Sequence, residues 1–408
     1  MVNVIAFYLP QFHPIKENDE WWGVGFTEWR NVVNARPRFP GHYQPHLPAD
    51  LGFYDLRIPE VREAQADLAR QYGVHGFCYY HYWFNGRRVL DRPFDEVLAS
   101  GSPNFPFCLC WANENWTRVW DGGEKNILLE QKHSVEDDVA HIRSLFPAFR
   151  DERYIRINGK PLFLVYRTEI LPDAAKTAEV WRDEAHKAGI GDIYLARVEQ
   201  FVNTIDPAGI GFDAAVEFAP SGDRLGEIVF RGALPSLFSK LGLLSRAYAE
   251  NDVISYNSVA RVFKNRADPQ FKRFHCVSPC WDNSARRQRL ARIIVDSTPQ
   301  LYEDWLRHTV KRTVRKYEGD ERIVFINAWN EWAEGCHLEP DLRWGRAYLE
   351  ATSRALRPVP DMVETAPSSS QPSGRIGYFK QQYWRARKFT CNVKELLRQL
   401  RLPGRYPE

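Results

Sequence analysis

Ile323-Val324-Phe325-Ile326-Asn327-Ala328-Trp329-Asn330-Glu331-Trp332-Ala333-Glu334-Gly335 begins as an apolar, β-branched run and turns polar and aromatic at its end. That is the pattern of a buried parallel strand whose C-terminal end emerges at a polar face. Seven further runs of the same kind precede it: Val4 to Leu9, Gly76 to Trp83, Phe107 to Trp111, Leu162 to Tyr166, Tyr194 to Val198, Ala214 to Phe218 and His275 to Pro279. The eighth is Ile323 to Ala328. Longer amphipathic stretches lie between them, with apolar residues three and four apart over Pro59 to Tyr72, Val135 to Phe149, Ala174 to Ala188, Leu301 to Tyr317 and Trp344 to Leu356. Eight strands alternating with helices predict a single (β/α)₈ barrel over residues 1–357, with its chemistry at the C-terminal ends of the strands.

Two segments break the rhythm. Residues 220–272 are too long for a simple strand-to-helix connection and contain the apolar cluster Ala233 to Phe238 with Leu241, Leu243 and Leu244. An insertion after the sixth strand is expected there, either a lid or acceptor-binding element or a small packing subdomain. Residues 358–374 are rich in Pro and Ser and read as a linker. Residues 375–408 then mix basic side chains (Arg375, Lys380, Arg385, Arg387, Lys388 and others) with Tyr378, Phe379, Trp384 and Phe389. Such a tail suits an anionic membrane surface, and truncation after Gly374 is expected to abolish binding to anionic vesicles.

Bulk composition narrows the classes. Hydrophobic residues at 44% and charged residues at 26% are ordinary for a globular chain with a large core. A net charge of +3, from 55 basic and 52 acidic residues, argues against nucleic acid as a partner. Seven cysteines, several within apolar runs, fit a reducing compartment, and the C-x-C and C-x-x-x-C pairs lack zinc-ribbon spacing. The start, Val2-Asn3-Val4-Ile5-Ala6-Phe7, does not read as a secretion signal, and no apolar stretch reaches the length of a membrane span. A cytoplasmic protein is expected, peripheral at the inner face of the cytoplasmic membrane if its tail binds there.

The chemistry concentrates on strand ends. Glu331 and Glu334 form a carboxylate pair of the kind glycoside chemistry needs, one group to protonate the departing oxygen and one to support the ring carbon. Trp329 and Trp332 are expected to offer indole faces to sugar C–H groups, with Asn330 hydrogen-bonding a hydroxyl. The first strand end adds Tyr8, Gln11, His13, Trp21, Trp22, Glu28 and Trp29. The second adds Tyr80, His81 and Tyr82, and the third Trp111, Asn113, Glu114, Asn115 and Trp116. Tyr166, Arg197, Glu217 and Trp281 complete the set, with Arg167 and Arg197 as candidates for pairing with carboxylates. Aromatics interleaved with Asn, Glu and His match the mixed apolar and hydroxylated surface of a sugar. The expected partner is an oligosaccharide or lipid-linked glycan; no cofactor or metal is expected.

Four stretches make the chain resemble the glycoside hydrolase family 99-like proteins, particularly the WbsX-type branch associated with bacterial surface-polysaccharide synthesis. They are Ala6 to His13, Trp22 to Trp29, Trp111 to Trp116 and Asn327 to Gly335. The resemblance covers most of residues 1–357. It implies a (β/α)₈ fold and retaining endo-α-mannosidase-type chemistry without a metal. Glu331 would help the sugar's own 2-hydroxyl attack through an anhydro intermediate, and Glu334 would be the acid/base. Ala333 departs from the family pattern, where the mannosidases typically carry His. Hydrolysis and glycosyl transfer, as in O-antigen or capsule synthesis, remain alternatives for one site, and an inactive glycan-binding module is a third. The sequence has no D-x-D motif and no phosphate-binding G-x-x-x-x-G-K-[ST] loop, which argues against an ordinary nucleotide-sugar transferase.

Overall fold

The computed structural model describes residues 1–118, 123–200, 205–222, 225–229, 245–287 and 289–357. Eight parallel strands form a closed barrel: β1 Asn3–Tyr8, β2 Gly76–Phe84, β3 Phe107–Trp111, β4 Lys160–Val165, β5 Tyr194–Glu199, β6 Ala214–Glu217, β7 Arg273–Val277 and β8 Ile323–Ile326. Each pairs with its sequence neighbour, and β1 closes the ring by pairing with both β2 (Phe7 opposite Cys78) and β8 (Ile5 opposite Phe325). The expected eight strands are therefore all present, with ends shifted by at most two residues.

Among the described residues, seven helices cover this ring: α1 Pro59–Gln71, α2 Arg92–Ser100, α3 Val135–Arg150, α4 Ala174–Lys187, α5 Tyr256–Asn265, α6 Pro299–Lys316 and α7 Ala347–Leu356. Their starts are set locally. Ser134 Oγ accepts from Asp137 N at 3.1 Å, Asp173 Oδ1 from Lys176 N at 2.9 Å and Thr298 Oγ1 from Leu301 N at 3.3 Å, each satisfying an otherwise orphaned amide. α2 and α5 are additions to the helices expected from the sequence pattern. Among the described residues, the β5–β6 connection holds a 3₁₀ turn, Pro207–Ile210, in place of a helix.

Strand side chains alternate between the barrel interior and the helix layer. Inside, Phe7 packs on Phe218 and Phe325, each with ring centroids 5.4 Å away, and fills the barrel beneath the C-terminal ends of its strands. Truncating such a ring costs about 3–5 kcal/mol. The interrupted β6–β7 connection contains the short helix Ala247–Glu250, the strand Asp252–Ser255 and α5. Asp252–Ser255 joins Arg292–Val295 and Trp281–Asp282 in a small three-stranded sheet beside the barrel mouth. The apolar cluster 233–244, the linker 358–374 and the basic tail 375–408 lie outside the described residues. Among those described, no helix is long and apolar enough to cross a membrane.

Candidate active site

The end of β8 is tied to the end of β1 before it turns into the site. Asn330 Oδ1 accepts from Leu9 N at 2.7 Å and its Nδ2 donates to Leu9 O at 3.0 Å, so this side chain acts as a backbone clamp and not as a sugar ligand. Glu331 pairs with Cys336 in a two-residue antiparallel ladder, and a 3₁₀ turn over Trp332–Glu334 swings the second carboxylate back toward the first. Gly335 completes the turn at φ 53°, against the loop after β7: a Cβ there would stand 3.0 Å from Asp282 Cβ. Asp282 holds that loop, accepting from Ser284 N at 2.9 Å and from Gln44 Nε2 at 2.8 Å and pairing with His42 Nε2 at 2.6 Å.

Four residues beyond Asp282, Arg286 enters the site. Its Nη1 lies 2.7 Å from Glu334 Oε1, its Nη2 3.1 Å from Glu331 Oε2 and its Nε 3.2 Å from Glu28 Oε2. Glu28 comes from the β1 loop, so one guanidinium joins the loops of β1, β7 and β8. Two buried carboxylates and the half-buried Glu334 against this cation leave excess negative charge. Burial pushes the Glu331 carboxyl up to about 8, with Arg286 pulling it down and Glu334 and Glu28 pushing it further up. Glu334 is raised for the same reasons, burial foremost. The two therefore titrate as a pair that retains a proton near neutral pH.

The carboxylates stand at one side of an open cavity of about 250 Å³, close to the lower end of the range of ligand clefts, roughly 300–1,000 Å³. Trp22, Tyr80, Glu114, Asn115, Trp116 and Tyr166, all expected from the sequence, line it together with Glu331 and Glu334. Gln11, Trp21 and Tyr82 also line it, and Gln11 Nε2 donates to Tyr82 Oη at 3.0 Å. Glu114 accepts from Arg167 Nη1 at 3.0 Å, and burial raises its carboxyl despite that partner.

The remaining expected site residues do not reach the cavity wall, and each has a packing reason. Tyr8 turns outward and donates to Gln65 Oε1 at 2.7 Å. His13 is buried behind the β1 loop, where burial lowers it to about 4. Trp29 packs on Phe12 and Trp332 and donates to Tyr54 O at 2.8 Å. His81 faces α3, with its Nε2 3.0 Å from His141 Nε2, and Trp111 stands edge-on to the same His141 ring. Asn113 bridges strand ends, donating to Arg167 O and accepting from Arg167 N, both at 2.8 Å. Arg197 is fully buried, with Nε donating to Thr168 Oγ1 at 3.2 Å.

Glu217 belongs to an ion cluster under the helix layer, 2.8 Å from Arg266 Nη1 and 3.5 Å from His275 Nδ1. Although burial opposes ionisation there, His275, Arg273 and Arg266 together hold its carboxyl down to about 2. The two indoles expected to face sugar do not: Trp329 packs on Phe77, and Trp332 stacks on His337 at 3.8 Å and donates to Glu339 Oε2 at 2.6 Å. Trp281 lines a second, smaller cavity. Arg286, Asn18 and Phe218 belong to the site and were missed from the sequence. For Arg286, the only signal was its position shortly after the seventh strand.

Residues 4–352 match the family model of glycosyltransferase WbsX. WxcX of Xanthomonas campestris pv. campestris, in strains ATCC 33913 and B100, is 47% identical over 360 residues, which are 88% of this chain and 50% of WxcX. The chain thus spans about half the length of the curated relatives it matches. Among solved structures, a glycoside hydrolase-like protein superposes with TM-score 0.55 at 15% identity over 88% of this chain and 94% of that one. The GH99 endo-α-mannosidase of Bacteroides thetaiotaomicron superposes with TM-score 0.52 at 15% identity over 86% and 96%. These two likenesses are likenesses of fold.

Proposed function

Because this chain belongs to the glycosyltransferase WbsX family and is a carbohydrate-active enzyme, we propose that it works with retention on α-mannoside-like bonds of a bacterial surface polysaccharide or its lipid-linked precursor. The observation that carries this reading is the gathering of Glu331 and Glu334 on Arg286 beside an aromatic cavity. Bond cleavage at a sugar carbon needs one carboxyl holding a proton and one able to take a proton in the same enclosure, and a raised, coupled pair supplies both. Tyr80, Tyr82, Trp22 and Trp116 offer the apolar faces that pyranose C–H groups stack against.

In the proposed first step, the oxygen of the sugar's own 2-hydroxyl attacks the anomeric carbon while its proton passes to Glu331. The bond to the leaving oxygen breaks as that oxygen takes a proton from Glu334. In the second step, water or an acceptor hydroxyl opens the anhydro sugar, giving its proton to Glu334, while Glu331 returns one to the 2-oxygen. Retention results because the anomeric carbon is inverted twice.

Hydrolysis and transfer differ only in what arrives second. The family's description favours transfer to an acceptor glycan, and the basic tail, which fits an anionic surface at the inner face of the cytoplasmic membrane, favours a lipid-linked one. Product analysis with mannose-containing oligosaccharides, with and without an acceptor, tests the proposal. An elongated acceptor means transfer and free reducing sugar means hydrolysis. Binding without either product would reduce the chain to a glycan-binding module and overturn the catalytic reading.

A further inference from the structure

Behind the catalytic hairpin lies a second cavity of about 60 Å³, whose walls include His42, His46, Cys280, Trp281, His337 and Asp341. His46 comes from the β1 loop, and His337 and Asp341 lie beyond Glu334 in the β8 loop. One ligand atom from each of His46, His337 and Asp341 lies within 4.8 Å of the other two, and His46 Nδ1 faces His337 Nε2 at 3.0 Å. We infer that His46, His337 and Asp341 form a zinc site that pins the β1 loop to the β8 loop behind Glu334. It is a structural site, independent of the reaction proposed for the carboxylate pair.

The donor set is that of a zinc centre: two imidazole nitrogens and a carboxylate oxygen, with a fourth position for water. A tetrahedral ion with bonds of about 2.0–2.2 Å places its ligand atoms about 3.3 Å apart. The two histidines need to part by a few tenths of an ångström, and the Asp341 oxygen, within 4.8 Å of both nitrogens, needs to move toward them. A water fills about 30 Å³, so the cavity has room for the fourth ligand. The Trp281 Nε1 hydrogen, buried on the same wall, has no acceptor among the described residues and is available to an oxygen ligand.

Outer contacts already orient the donors as metal sites require. His337 Nδ1 lies 3.0 Å from Glu339 O; donating there leaves the Nε2 lone pair aimed at His46. Asp341 Oδ1 accepts from Trp344 N at 2.6 Å and Oδ2 from Tyr43 Oη at 3.1 Å.

The test uses the full chain without a histidine tag, stripped with chelator and titrated with Co²⁺ alone, its visible absorption reporting coordination. One Co²⁺ per chain, displaced stoichiometrically by zinc, is expected. His46→Gln should weaken binding at least about 100-fold while far-ultraviolet circular dichroism stays unchanged. Absence of saturable binding up to about 1 mM, or equal binding by His46→Gln, overturns the inference. Should His46→Gln fail to fold, zinc-edge X-ray absorption of the unmutated chain decides: two imidazoles with oxygen ligands support the site, and any other ligand set refutes it.

Discussion

Replacing Arg286 by Gln removes the guanidinium that Glu28, Glu331 and Glu334 share at 2.7 to 3.2 Å. A buried carboxylate deprived of its cation takes a proton instead of staying charged. At pH 7 that costs about 3 kcal/mol for a carboxyl of ordinary value near 4.5, at 1.36 kcal/mol per unit. Glu331, already near 8, adds little, so the burden falls on Glu334. That one proton sets the loss at about 3 kcal/mol, at the low end of the range of about 3–5 kcal/mol seen when one partner of a buried pair is removed.

The sign with pH is set by linkage. Carboxyls raised in the folded state stabilise fully below their unfolded value, and that stability drains away as pH climbs toward the folded value. The native chain therefore loses stability between about pH 4.5 and 8 through Glu331, the raised Glu334 adding in the same direction, and Arg286→Gln should lose it more steeply. At pH 5 the difference between the two proteins should shrink to about 1 kcal/mol. Urea unfolding by tryptophan fluorescence at pH 5, 6 and 7 measures it. A difference below about 1 kcal/mol at pH 7, or one that does not change with pH, would refute the shared-cation reading.

Glu334→Gln is expected to lose nearly all activity on substrates with poor leaving groups, to keep binding, and to recover with an activated leaving group. Glu331→Gln should lose activity with both, because in the proposed mechanism it serves the ring side of the reaction. The opposite pattern would exchange the two roles, a real contrast since the Glu331 carboxyl is held up near 8 while Arg286 approaches Glu334 more closely. Gly335→Ala places a Cβ 3.0 Å from Asp282 Cβ at a positive φ and should cost about 2–3 kcal/mol. It should also lower kcat, because Asp282 anchors the loop that carries Arg286; an unchanged melting temperature with native kcat would count against that linkage.

Much of this architecture is legible in residue order. Parallel barrel strands are buried on both faces, so their apolar runs stand out whatever surrounds them, and Ile323 to Ile326 could be placed to within two residues. The carboxylate pair was legible because it directly succeeds such a run. Arg286 was not: it lies in an irregular loop, and nothing local distinguishes it from Arg287 next door. Its role arises from three loops distant in sequence, with Glu28 258 residues away. His46 and His337, 291 residues apart, escape sequence spacing for the same reason.

The aromatic strand ends show where a sharper reading was available. Side chains alternate along a strand, so an unbroken run such as Tyr79-Tyr80-His81-Tyr82-Trp83 cannot all face one cavity. Tyr80 and Tyr82 line it, whereas His81 and Trp83 meet His141 and Asp137 of α3. The same parity puts Leu9 and Ala112 on the cavity and turns Tyr8 and Trp111 under the helices. Phe218 lines the cavity while Glu217, one residue earlier, enters the ion cluster beneath the helix layer. Parity fails only where the strand ends: Trp329 and Trp332 lie in the turn after β8, where the Asn330 clamp and the 3₁₀ turn decide direction, and there burial went to the indoles and the cavity to the acids. The turn beyond the last regular residue of β8 thus places the acids at the cavity, and the inward parity of the strands around it places the aromatic wall.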